Sequence, residues 1–87
     1  MTTQVLTKAE LFEYLKKEAT DEAQTFADAA KFDPDKIAEK IADERGLIIR
    51  AGDRSDMQPG SSSRYWLDCY IVALEGILES LKVAAMP

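Results

Sequence analysis

Sixteen carboxylates, three tyrosines and a single cysteine, Cys69, are among the side chains of this sequence that could move a proton or attack a carbon. There is no histidine. That removes the usual general base near neutrality, and with it the Ser-His and Cys-His pairs that activate a nucleophile. A Cys/His zinc site needs several ligands at set spacing, and one cysteine cannot supply them or close an intrachain disulfide. No motif pairs the carboxylates, the tyrosines or Cys69 for catalysis. The chain therefore reads as a non-enzyme, without cofactor or metal. Gly60-Ser61-Ser62-Ser63-Arg64 would set free backbone N–H groups beside a guanidinium at a helix start, one way to hold an anion. Plain N-capping requires the same serines and is the simpler reading. The P-loop pattern is absent.

The elements that carry these residues follow from apolar spacing. The chain has 87 residues, enough for one small domain, 1–87. Thr7 and Glu10 spell a capping box, with Leu6 and Leu11 at the staple positions around it. Phe12, Leu15, Ala19, Ala23, Phe26 and Ala30 then recur three or four apart, predicting one helix over 8–31; a break at Thr20 is the alternative. Asp33 and Pro34 suit the N-cap and first position of a second helix, 34–45, with Ile37 and Ile41 inward. Gly46 is expected to end it, with Leu47 folding back on Ile41 or Ala42. Leu47-Ile48-Ile49 is expected as a short extended segment, 47–49, or a buried strap. Residues 50–63 read as a loop rich in breakers, and a third helix is predicted over 62–84. The fold class is all-α, a small three-helix bundle. No apolar run nears the ~20 residues of a spanning helix. Met1–Thr7 lacks the pattern of an export signal, and with a free thiol the expected compartment is the cytoplasm.

The third helix carries the strongest pattern. Leu67, Ile71, Leu74, Leu78, Leu81 and Ala85 form a heptad seam, widened by Trp66, Tyr70, Ala73, Ile77 and Ala84. Arg64, Asp68, Glu75, Glu79 and Lys82 fall in one narrow arc. Tyr65, Cys69, Val72, Gly76, Ser80 and Val83 fill another, mostly small or apolar. Only the charged arc is expected to meet water, so the helix either lies between the other two or pairs with a second molecule through the small-residue arc. Gly76 costs roughly 1 kcal/mol relative to alanine, which suggests a close backbone approach there.

Charge is divided unevenly. The net charge is −5, and all of it falls in residues 1–44, which hold 11 acids against 6 lysines. The arginines Arg45, Arg50, Arg54 and Arg64 gather in or beside the loop, suited to bidentate contacts with carboxylate or phosphate. On the first helix Glu10, Tyr14, Lys17, Asp21 and Asp28 lie away from the apolar stripe, with Glu10 and Glu18 one turn either side of Tyr14, making an acidic face with an aromatic anchor. Net negative charge opposes direct nucleic-acid binding, which needs cations against phosphates. It suits a protein that occupies a basic nucleic-acid-binding groove on a partner.

In length, acidity, helical content and lack of catalytic residues the chain resembles the small acidic inhibitors of bacteria and phages. These include anti-CRISPR proteins and the immunity proteins that block nuclease toxins. The Ser-Asp-x-x-Tyr-Tyr-Pro stretch of the colicin-nuclease immunity proteins is absent, and no functional position carries over from either class. The expected function is a protein-binding inhibitor, with Glu10, Tyr14, Glu18, Asp21, Asp28, Arg50, Arg54 and Arg64 meeting a protein partner. A homodimeric adaptor joined through the small-residue arc is the alternative. A helix-turn-helix-like regulator, with Pro34–Gly46 as its first helix, is the second.

Overall fold

A computed structural model describes residues 7–85 and shows three helices: α1, Lys8–Ala29; α2, Pro34–Ala51; and α3, Ser62–Ala84. Among the described residues there is no strand, and one 3₁₀ turn, Ser55–Met57, interrupts the loop before α3. The three starts are those the sequence predicts. Thr7 and Glu10 close the capping box, the Glu10 N–H donating to Thr7 Oγ1 at 3.1 Å and the Thr7 N–H to Glu10 Oε1 at 3.3 Å. Leu6, the other half of the predicted staple, lies outside the described residues. Asp33 caps α2 by accepting from the Asp35 N–H at 3.0 Å, with Pro34 in the first turn. Ser61 caps α3 by accepting from the Arg64 N–H at 3.2 Å. α1 runs unbroken past Thr20, whose hydroxyl donates back to the Lys16 carbonyl at 2.8 Å.

The end of α1 dispenses with glycine. The Lys31 N–H donates to the Asp28 carbonyl at 3.0 Å and the Phe32 N–H to the Ala27 carbonyl at 2.8 Å, the paired bonds of a Schellman end. Lys31 takes φ 56° and Phe32 φ 53°, both left-handed. That conformation costs an L-residue roughly 1–2 kcal/mol through its Cβ. Lys31→Gly is therefore expected to stabilise the fold by about 0.5–1 kcal/mol after glycine's own entropy cost, read as a higher urea midpoint at unchanged slope.

α2 departs from the sequence reading. It does not stop at residue 45, and Gly46 is helical rather than left-handed. Leu47, Ile48 and Ile49 are its last turns, not an extended segment, and Leu47 does not fold back. Ile48 continues the Ile37–Ile41 seam onto the core, and that burial outweighs the roughly 1 kcal/mol that glycine costs inside a helix. The helix ends six residues later at Gly52, at φ 56° and ψ −118°. The loop shortens accordingly and is knitted by its own bonds. Gln58 Nε2 donates to the Gly52 carbonyl at 2.7 Å, and Ser61 Oγ to the Asp56 carbonyl at 2.8 Å.

α3 is the central helix, and α1 and α2 each pack on it far more than on each other. Phe12 stacks on Tyr65 near the start of both helices while Phe32 lies by Leu81, so α1 runs parallel to α3. Arg45 pairs with Glu75 while Ala38 lies by Lys82, so α2 runs antiparallel. α1 offers α3 a stripe of wholly buried alanines, Ala19, Ala23 and Ala27, which let the two helices lie close. From α3, Leu67, Tyr70, Ile71 and Leu74 are buried, and Ile37 and Ile41 meet them from α2. The core is thin, with Ile37 and Leu74 its largest fully enclosed side chains. The radius of gyration is 15.2 Å, against about 12 Å for a compact domain of this length, so the bundle is flat and elongated.

The small-residue arc of α3 is wetter than its composition suggests. Tyr65 is half-covered by Phe12, at 4.5 Å between ring centroids, and Cys69 is half-buried. Val72 is 66% and Val83 59% exposed, and Gly76 and Ser80 are open too. The expectation that only the charged arc meets water fails, because the two other helices are too few to close round the rod.

Candidate functional site

The acidic face of α1 forms as its spacing requires. With the alanine stripe turned to α3, Glu10, Tyr14, Asp21 and Asp28 are exposed on the opposite side, and Glu18 is exposed at its flank. Glu10 is occupied by the capping box. Tyr14 is 58% exposed. A hydrogen bond to the Glu18 carboxylate one turn on, reinforced by its charge, raises the phenol above the usual tyrosine range. Tyr14 is thus a neutral aromatic donor in an acidic setting.

The arginines are largely spoken for. Arg54 grips Asp56 with Nε at 3.1 Å and Nη2 at 2.7 Å. Arg64 donates from Nε to Asp68 at 3.1 Å and from Nη1 to the Met57 carbonyl at 3.0 Å, which occupies both arms of its guanidinium. Arg45 is paired with Glu75. Arg50 is exposed and, among the described residues, forms no ion pair; its guanidinium lies over Gly46, 3.0 Å from where a Cβ would stand. Of the arginine cluster, Arg50 best retains donors for a partner.

A shallow cleft runs between α1 and α3 along the small-residue arc, past Thr20, Cys69, Ala73, Gly76 and Ile77 to Phe32. Among the described residues nothing lies within 4 Å of where a methyl group on Gly76 would project, so none of them makes a close approach there. Gly76→Ala is expected to stabilise the fold by about 1 kcal/mol, raising the melting temperature by about 4–8 °C. A lower melting temperature, together with loss of a dimer in sedimentation, would mean that two copies meet at Gly76.

One feature was not visible in the sequence. Leu15, Leu47, Met57, Trp66 and Leu67 line a groove of about 460 Å³ where α1, α2 and the start of α3 converge, with Glu18 and Glu44 on its walls and Ser62 and Ser63 at its end. Leu47 reaches it only because α2 continues through Gly46. The 4-and-7 spacing of Ile37, Ile41 and Ile48 was the available signal for that continuation. Trp66 lies flat on Tyr70, with centroids 5.1 Å apart.

Among the described residues no three His, Cys, Asp or Glu side chains converge as metal ligands. No helix among them is long and apolar enough to cross a membrane. No protein-family model, no curated protein sequence and no solved structure matches the chain.

Proposed function

We propose that this is a non-enzymatic inhibitor that binds another protein through the acidic face of α1 and covers a basic nucleic-acid-binding surface there, as a phage anti-CRISPR protein would. The observation that carries the reading is Tyr14, exposed beside Glu18 and in line with Glu10, Asp21 and Asp28. An exposed aromatic supplies apolar contact at low entropic cost, and the carboxylates around it select a basic counter-surface. The net charge of −5 steers such a partner from a distance. Arg50, in the last turn of α2 and one turn beyond Leu47, adds a donor. The mechanism is occlusion, so no bond is made or broken.

The test reverses charge where the fold does not use it. Glu18→Lys, Asp21→Lys and Asp28→Lys together leave the Glu10 cap intact. The triple variant is expected to keep its helical signal and lose capture of the partner from extract of the native host, by about a hundredfold or more in affinity. Undiminished capture would remove α1 as the docking face. A homodimeric adaptor is the second reading, favoured by the exposure of Val72 and Val83 on α3. Sedimentation at micromolar concentration decides it, since a lone monomer opposes it.

A further inference from the structure

We propose that the groove between α1, α2 and the start of α3 seats an apolar side chain from a Lys- or Arg-flanked segment of the protein partner. This rests on the inhibitor reading and adds the chemistry of the contact.

The groove is apolar at its base and acidic at its walls. Leu15, Leu47, Met57 and Trp66 line it together with Glu18 and Glu44, and no lysine or arginine does. Its volume of about 460 Å³ lies within the range of sites that enclose an anchor group. Much of the base is held before anything binds. The Trp66 ring is stacked on buried Tyr70, and the Met57 carbonyl accepts from Arg64 Nη1 at 3.0 Å. Leu47 remains 45% exposed, apolar area that an occupant would cover. Glu18 joins the groove to the acidic face, being both a groove wall and one turn from Tyr14 along α1. Glu44 also holds Lys40 at 3.0 Å, so Glu18 is the freer of the two carboxylates. An apolar anchor with a cationic neighbour satisfies base and wall together. An acidic or uncharged segment would leave Glu18 repelled or unmatched.

Trp66 is the only tryptophan, so its emission reports the groove directly. Three synthetic peptides of equal length serve as probes, built from Leu and Lys, from Leu and Glu, and from Ser and Lys. The Leu/Lys peptide is expected to shift Trp66 emission to the blue saturably, more weakly at high salt, and the other two to leave it unchanged. Glu18→Lys and Leu47→Ser, both at exposed positions, are each expected to weaken the response about tenfold with the helical signal retained. No saturable shift with Leu/Lys, an equal shift with either control peptide, or a shift on concentrating the protein alone would overturn the proposal. Asp21→Lys with Asp28→Lys separates the two ideas, since neither residue lines the groove. If that pair abolishes partner capture while the Leu/Lys response fails in the parent protein, the groove is wrong and the docking face stands. If the response persists but capture is indifferent to the pair, the docking face is wrong and the groove stands.

Discussion

Leu74→Ala is expected to lower stability by about 2–5 kcal/mol, the range for truncating an enclosed leucine whose surroundings relax only in part. Leu74 is wholly buried on the central helix, in the cluster where α1 and α2 both meet α3. For a domain of this size total stability is about 4–13 kcal/mol, so the loss takes a large share of it. The melting temperature should fall by at least about 10 °C. Val72→Ala is the matched control. Val72 stands two positions earlier on the same helix but is 66% exposed, and its truncation should change stability by less than about 0.5 kcal/mol. Equal effects at the two positions would mean that α3 does not present the Leu74 side to the core.

Ala23→Leu tests the other half of the architecture. Ala19, Ala23 and Ala27 are each fully buried where α1 meets α3, and a leucine there must push the helices apart or adopt a strained rotamer. Overfilling of this kind costs about 1–3 kcal/mol and occasionally more. The local effect should be larger than the global one. Separating the helices would disturb the Phe12–Tyr65 stack, so near-ultraviolet circular dichroism should weaken while the far-ultraviolet helical signal holds. Ala29→Leu, at the exposed last residue of α1, should be neutral. A tolerated leucine at position 23 would show that the alanine stripe does not set the helix spacing.

What the sequence made legible was chiefly what short-range chemistry decides. The Thr7–Glu10, Asp33–Pro34 and Ser61 caps depend on residues within three positions of each other, and all three stand where the residue types put them. The outward position of Tyr14 followed from the helical period. The end of α2 did not, because a glycine's local cost competes with the distant burial of Ile48, and only the folded chain sets that balance. The left-handed turn at Lys31 was hidden for the same reason, since no local residue type marks it. The exposure of Val72 and Val83 shows a further limit: a wheel gives the apolar faces of a helix but not how much chain there is to cover them. Arg64–Asp68, one turn apart, was within reach of spacing, whereas Arg45–Glu75 joins residues 30 apart. The groove at Trp66 draws on all three helices and the loop, so its residues never stand together along the chain.

The most direct measurement of the inhibitor reading is a competition. The captured partner, loaded with labelled nucleic acid, is titrated with this protein and the displaced label is counted. Displacement should be saturable, should need more protein as salt rises, and should vanish with the Glu18, Asp21 and Asp28 reversal. A ternary complex that keeps its nucleic acid at saturating protein would contradict it.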